Sequence, residues 1–317
     1  MSFVGGGSDL PSYYERFSGA VVSTAITKYV YININAKFDQ NIRVSYSKTE
    51  DVKAPNEVKH ELVRACLNLV GIDGGIEIAC MADIPKGTGL GSSSSFTTAL
   101  LHGLYAYRGQ YASAARLAQE ACRIELDICN SPIGKQDQYA AAFGGFNFIE
   151  FCRDGCVNVS PVICKQETIQ EIEESILMLY TGRTRSANEL LAKQSERSAS
   201  NAATQEMLHK MVGLAHDLYR ELQNNNHAVF GEILHENWLL KRKLTEGVSD
   251  AMIDEWYEQA RRAGALGGKI LGAGAGGFLM LFAPKKRHEA ILHALPGLRN
   301  VPVGFDKFGS RISFYNP

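Results

Sequence analysis

Apolar residues recur along this chain with two periods, and the switches between them mark out its elements. Phe96, Leu100, Leu104 and Tyr107 fall at helical spacing, so an amphipathic helix is expected to start at the serines just before them. Helical patterns also cover 57–70, 112–128 and a small-residue segment after Gln136. They fill 187–262, with breaks near Asn224-Asn225-Asn226 and Gly247, and return in a last helix at 285–295. Trp238 and Trp256 in this helical region read as core or interface anchors.

Strand-like runs fall at 2–4, 42–47, 75–81, 175–180 and 278–282, with closing strands at 301–305 and 311–315. Residues 146–151 and 157–162 form a hairpin. Residues 20–35 read as one long β-rich strand whose second half alternates apolar with polar or aromatic positions. Lys28 then lies inside it as a solvated strand lysine rather than a catalytic one.

Between the strand ending at Met81 and the helix of Phe96 stands Pro85-Lys86-Gly87-Thr88-Gly89-Leu90-Gly91-Ser92-Ser93-Ser94-Ser95. Three glycines at alternate positions let the backbone turn and bring its amides up to a large anion, and a helix N-terminus follows at once. This pattern is a phosphate cradle, and one of its serine hydroxyls is in place to reach a metal. No Gly-Lys-Ser/Thr follows the glycines, so it is not a Walker loop, and it lacks the dinucleotide fingerprint. A flexible Gly/Ser linker is the bland alternative, but linkers do not normally separate a strand from a well-patterned helix.

Two more glycine concentrations occur. Gly5-Gly6-Gly7-Ser8-Asp9-Leu10-Pro11 makes a turn that either presents the Asp9 carboxylate or is a plain Asx turn. Residues 264–277 end in Gly272-Ala273-Gly274-Ala275-Gly276-Gly277 and lead into a strand where a dinucleotide site needs a helix. Close backbone approach, to phosphates or to the first cradle, is the better account.

Two further acids stand out. Glu125 lies late in its helix, where the dipole disfavours a carboxylate, so it is expected to serve another purpose. Asp137, in the first turn of the helix after Pro132 and Gly134, is either a simple helix-start acid or a functional one. Lys135 and the amides of Gln136 and Gln138 beside it are expected to favour its ionised form. Arg183 and Arg185, in a loop that opens a helix, suit an anionic ligand or a solvated cap.

Composition narrows the class. With 317 residues, 45% apolar and 21% charged, the chain is a globular protein long enough for two domains. A formal net charge of -1 gives no broad attraction to nucleic acid or an anionic membrane, so any phosphate binding is local. The 7 cysteines are odd in number and scattered without a CxxC pair, which suits reduced thiols in a cytoplasmic protein. Cys152 and Cys156 bracket a turn and read as ordinary strand residues rather than metal ligands. No signal peptide or membrane-spanning apolar run is visible.

Taken together, the three glycine-bearing segments resemble the GHMP small-molecule kinases over nearly the whole chain: Gly5 to Pro11 the first motif, Pro85 to Ser95 the second and Lys269 to Gly277 the third. Ile133-Gly134-Lys135-Gln136-Asp137-Gln138-Tyr139 and Tyr180-Thr181-Gly182-Arg183-Thr184-Arg185-Ser186 bring the likeness to the heptose and related sugar 1-kinases of that family. The resemblance implies an α+β, two-domain GHMP kinase fold. Residues 1–165 would form a ribosomal protein S5 domain 2-like N-terminal domain, and 166–317 a ferredoxin-like C-terminal domain.

It implies ATP and magnesium as cofactors and transfer of phosphate to the anomeric hydroxyl of D-glycero-D-manno-heptose 7-phosphate, giving the 1,7-bisphosphate. Alternatives are another sugar 1-kinase, for mannose, fucose or galactose, or a non-catalytic ATP or sugar sensor. A small sugar or sugar phosphate is the expected partner, with no nucleic acid or membrane, and a homo-oligomer is compatible.

By the same resemblance Asp137 is the general base; Ser93 and Glu125 are the magnesium ligands; and Lys86, Gly87, Thr88, Gly89, Leu90, Gly91, Ser92, Ser93 and Ser94 form the ATP loop. The sugar falls to Gly7, Ser8, Asp9, Asp137, Arg183, Arg185 and Gly274, with Arg183, Arg185 or Lys135 receiving its distal phosphate. Two departures stand out. Relatives carry a basic residue, often within an Arg-x-Pro-containing strand, just upstream of the first motif. Here Met1 stands there, so either the first strand has been cut off or the start is misassigned, and the charge-stabilising cation has no candidate. In the third motif Ala275 replaces a glycine and is expected to tighten the loop slightly.

Overall fold

The computed structural model of the chain describes residues 1–183 and 187–316. Strands and helices are mixed along it in three sheets, as the α+β expectation has it.

The first sheet runs Ser2–Val4, Gly19–Ile26, Phe146–Phe151, Val157–Pro161, all antiparallel. Gly19–Ile26 is buried through its first six residues because it is covered on both faces, which is why its sequence is an apolar run rather than an alternation. The second sheet orders Val30–Ala36, Ile76–Ala82, Ile42–Ser45, Thr49–Val52, with Ile42–Ser45 parallel to Ile76–Ala82. Its first strand is half exposed, and the alternation read in the sequence is the signature of that. The third, antiparallel sheet orders Gly267–Ile270, Phe278–Phe282, Ile176–Tyr180, Arg299–Asn300.

The expected single strand over 20–35 is two strands in different sheets. Thr27, Lys28 and Tyr29 form the connection, so Lys28 is a turn residue, not a strand residue. The closing strands expected at 301–305 and 311–315 are likewise replaced by the two-residue pairs Arg299–Asn300 and Phe305–Asp306. The latter joins the first sheet at Ile26, and 311–316 follows without strand structure.

Helices Pro11–Phe17, Glu61–Val70, Ser92–Tyr107, Ala114–Cys122 and Gln136–Phe143 belong to the first half, Ser92–Tyr107 lying against the strand Val30–Ala36. The second half carries Gln166–Glu174, Ala187–Ser200, Ala202–Gln223, Phe230–Lys241, Ala251–Ala263 and His288–Ala294.

One apolar cluster joins the halves. Phe3, Val22 and Phe148 pack with Leu218, Phe230 and Phe278, and the Phe3 ring sits 5.0 Å from that of Phe230 and 5.6 Å from that of Phe146. Each large side chain so buried contributes roughly 1.5–3 kcal/mol. The strand Ser2–Val4 is thereby pinned between the two halves, and the first glycine turn that follows it is pinned with it. Trp238 is fully buried in a further cluster with Tyr257 and Ile270, and Trp256 packs against its edge.

Candidate functional site

The cradle glycines take the conformation their spacing requires. Gly87, Gly89 and Gly91 have φ of 79°, 81° and 67°, the left-handed region that other residues enter at a cost. Gly91 leads directly into the helix Ser92–Tyr107 and has no side chain with which to cap it, so the first-turn amides are left for an outside anion. Lys86, Gly87 and Gly89 lie open at the surface, while the Thr88 hydroxyl turns inward to donate to Pro85 O at 3.0 Å.

The third glycine stretch braces this loop from behind. A Cβ at Gly89 would lie 2.5 Å from Leu271 O, and one at Gly277 would lie 2.1 Å from Thr88 O, so the two backbones touch where both sequences lack side chains. Ala275 sits within the bracing turn at φ 68°, its amide donating to Val248 O at 3.0 Å. An alanine held there carries about 1–2 kcal/mol of backbone strain. Ala275→Gly is therefore expected to stabilise the fold by about 1 kcal/mol after the extra freedom of glycine in the unfolded chain is deducted. Denaturant unfolding checks this; a variant less stable than the parent would contradict it.

Three carboxylates gather at the front of the loop. Asp9 closes its own turn, Oδ1 accepting from Gly7 N at 3.0 Å and Oδ2 from Gln136 N at 3.2 Å. Gly134 is needed beside it, because a Cβ there would fall 1.9 Å from Asp9 Oδ2. Asp137, in the first turn of Gln136–Phe143, faces the cradle: a Cβ on Gly91 would meet its Cγ at 3.0 Å. Glu125 is buried and accepts hydrogen bonds from the Ser93 hydroxyl and, at 2.7 Å, from Gln138 Nε2. It lies on a widened π-type turn, Arg123–Ile128, that continues the helix Ala114–Cys122 and carries Glu125 toward Ser93. The odd place of this acid late in a helical run thus has a geometric cause.

Burial lifts all three carboxyls above the ordinary carboxylate range. For Asp9 the neighbouring Asp137 adds to the effect. For Glu125 the Ser93, Ser94 and Gln138 hydrogen bonds oppose it. For Asp137 the opposition comes from cations that include Lys241 and Lys269. This corrects the expectation that its sequence neighbours keep Asp137 ionised. Lys135 points away, donating to Gly155 O at 2.9 Å with its ammonium 4.7 Å from the Tyr14 ring centre, and the Gln138 amide is spent on Glu125.

Both lysines are buried and come from the second half. Lys241, at the end of Phe230–Lys241, donates to Gly272 O at 2.6 Å, and burial draws its ammonium down to about 8 against the pull of Asp9 and Asp137. Lys269, in the strand Gly267–Ile270, reaches Ser2 O at 2.8 Å and Phe3 O at 3.2 Å. Burial and its neighbour Lys241 push it well below the usual lysine value. Sequence reading found neither. A buried lysine carries no mark of its own, and only the structure shows that Lys269 lies in a strand all of whose residues are buried. These lysines bring positive charge to the acids.

Gly7, Ser8, Asp9 and Asp137 therefore stand together, with the Ser8 hydroxyl turned inward to donate to Gly5 O at 2.8 Å. Arg183 and Gly274 stand at the outer edge of the third loop. Arg183 pairs with Asp250 at 2.7 Å and accepts from Gly277 N through its carbonyl, while a Cβ on Gly274 would meet Val248 O at 2.6 Å. Arg185 lies outside the described residues. A cavity of about 650 Å³ opens beside the first motif, with Leu10, Tyr14, Arg123 and Lys135 in its wall.

Among the described residues no group of three or more His, Cys, Asp or Glu side chains is gathered for a metal. Magnesium does not need one, since it usually binds through one or two carboxylates and the phosphates of its nucleotide. Ser93 and Glu125, brought into contact at the cradle, fit such a half-shell. No helix among the described residues is long and apolar enough to cross a membrane.

Comparison with known proteins gives a consistent picture. The profile for GHMP kinases N terminal domain matches residues 57–145, and that for GHMP kinases C terminal matches 218–298. The chain is 29% identical over 311 residues to D-glycero-alpha-D-manno-heptose 7-phosphate kinase of Campylobacter jejuni, covering 92% of this chain and 89% of that protein. It is 30% identical to mevalonate kinase of Pyrococcus furiosus, over 77% of this chain and 71% of that one. Among solved structures, a D-glycero-D-manno-heptose 1-phosphate kinase from Bacteroides thetaiotaomicron superposes with a TM-score of 0.80 at 25% identity, covering 98% of this chain and 94% of the other.

Proposed function

The chain belongs to the GHMP kinase family, kinases that transfer phosphate from ATP to an alcohol, and from that premise we propose that it phosphorylates the anomeric hydroxyl of D-glycero-D-manno-heptose 7-phosphate to give the 1,7-bisphosphate. The observation that carries this reading is the meeting of three glycine stretches around one acid. The cradle is braced by Leu271 to Gly277 on one side and faces Asp137 on the other, with Asp9 of the first motif bonded to Gln136 beside it. The near full-length match to the Campylobacter jejuni heptose 7-phosphate kinase supports the choice of sugar. We assign residues 1–165 and 166–317 as its two domains.

Phosphoryl transfer asks little covalent chemistry of the protein, so the proposed mechanism is alignment and charge neutralisation. The amides from Gly87 to Ser94 hold the triphosphate. Asp137 accepts the proton of the anomeric hydroxyl as its oxygen bonds to the γ-phosphorus and the bond to the bridging oxygen of ADP breaks. Lys241 and Lys269 hold positive charge behind Asp137 and favour its ionised form. Ser93 and Glu125 would hold magnesium, which when bound neutralises phosphate charge. Asp9 grips the sugar, with Gly7 and Ser8 forming the turn that holds its carboxylate. We assign the distal phosphate to Lys135, in the wall of the large cavity, and keep Arg183, Arg185 and Gly274 as the remaining candidates for sugar contact.

Incubation with ATP and a panel of aldoses, read by ADP release, tests the reading. Heptose 7-phosphate should be turned over far better than mannose, fucose or galactose. Equal efficiency on mannose and heptose 7-phosphate would remove the distal-phosphate contact, and nucleotide binding without transfer to any sugar would make the chain a sensor.

The pH profile is a second test. Because Asp137 must be ionised to accept a proton and burial raises its pKa, kcat/KM should fall on the acid side at a pH above the ordinary aspartate value of 3.8. Lys241 is charged only below about 8 in the free enzyme, so kcat/KM should fall again as pH rises through about 8. Lys241→Met should lose that alkaline limb together with about tenfold in kcat/KM. An unchanged limb would assign it to another group.

A further inference from the structure

The first glycine turn is roofed by a side chain from the second half. The helix Ala187–Ser200 lies across the helix Pro11–Phe17, fastened by Arg16, whose guanidinium donates to Ala199 O at 2.8 Å, and by the Ser195 hydroxyl, which donates to that of Ser12 at 3.0 Å. From this helix Gln194, 2% exposed, projects onto Gly7. A Cβ there would lie 2.3 Å from Gln194 Nε2, so only glycine leaves room for the amide. Gln194 Nε2 is buried and has no hydrogen-bond partner among the described residues.

A second carboxamide repeats the feature on the neighbouring residue. Gln136 Oε1 is also buried without a partner among the described residues, 3.7 Å from where a Cβ of Gly6 would stand, while the backbone N–H of the same residue donates to Asp9 Oδ2. An unsatisfied buried polar atom costs about 1–3 kcal/mol, and here a donor and an acceptor are left so beside two adjacent glycines of one turn. Hydroxyl groups, each able to donate and to accept, are the chemistry that satisfies both.

Resting on the reading of the chain as a sugar kinase, we propose that Gln194 is a specificity-determining residue, donating from Nε2 to one hydroxyl oxygen of the sugar while Gln136 Oε1 accepts from another. The second half thus contributes directly to sugar selection, through a residue outside the three glycine motifs. Gly7 carries no side chain where the Gln194 amide comes down onto the turn.

The test uses the full chain, the parent sugar phosphate and its analogues deoxygenated at C2, C3 or C4, with Gln194→Ala and the near-isosteric Gln194→Met. Both variants should raise the KM for the sugar by about tenfold or more while the KM for ATP stays within about twofold. One deoxy analogue, poor with the parent enzyme, should lose nothing further in either variant, because the hydroxyl and its donor form a pair. Without ligand, Gln194→Met should melt at a higher temperature than the parent, since it removes an unsatisfied amide, and the sugar should raise its melting temperature less than it raises the parent's. A purely structural Gln194 would instead lower the ligand-free melting temperature. That result, or equal losses on every deoxy analogue, would overturn the proposal. Failure of the parent enzyme to bind or phosphorylate any of these sugars would overturn the sugar-kinase reading as well.

Discussion

Asp137→Asn is expected to lower turnover by about two or more orders of magnitude while the affinity for ATP stays within about twofold. The substitution keeps the shape that the site demands, since Asp137 lies where even a methyl on Gly91 would press on its Cγ. It removes the one property the proposed mechanism uses, a carboxylate able to take the proton of the attacking hydroxyl. The cradle amides are untouched, so nucleotide binding should persist and the loss should appear in kcat rather than in the KM for ATP. Steady-state kinetics with nucleotide titration separates the two. A variant that keeps near-normal turnover would show that Asp137 is only a helix-start acid.

The opposite pattern is expected for Gly89→Val. Gly89 holds φ 81°, and its missing Cβ would stand 2.5 Å from Leu271 O, a backbone atom that cannot move aside without opening the contact between the two glycine loops. A β-branched residue there incurs about 1–3 kcal/mol of backbone strain before the collision is counted. The affinity for ATP should fall at least about tenfold, since 1.4 kcal/mol of lost loop geometry already accounts for that factor. The melting temperature should fall as well. Equilibrium nucleotide binding and thermal unfolding read both effects, and an unaltered ATP affinity would mean that this loop does not hold the triphosphate.

The cradle was legible in the sequence because its two requirements are both local: residues that tolerate positive φ, and an apolar helical pattern starting immediately afterwards. Asp137 and Glu125 were legible only as oddities of position, and it took the fold to bring Ser93 onto Glu125 and Gly91 onto Asp137. What sequence reading missed is long-range. Lys241 and Lys269 reach Gly272 and the strand Ser2–Val4, and Gln194 reaches Gly7, through contacts that no local pattern encodes. The run at 20–35 misled for a related reason. Its composition is strand-like throughout, but a strand usually has about 5–6 residues, and the polar Thr27 and Lys28 with Tyr29 are where the chain passes from one sheet to the next. The last segment failed because strand propensity without a neighbouring edge gives no strand, and only Arg299–Asn300 and Phe305–Asp306 find one.

Phosphorus NMR of the product formed from ATP and D-glycero-D-manno-heptose 7-phosphate addresses the central claim most directly. The account predicts a new resonance coupled to the anomeric proton, growing with the loss of the γ-phosphate signal and absent with Asp137→Asn. A γ-phosphate that stays on ATP, appears only as inorganic phosphate, or is found on another carbon of the sugar would contradict it.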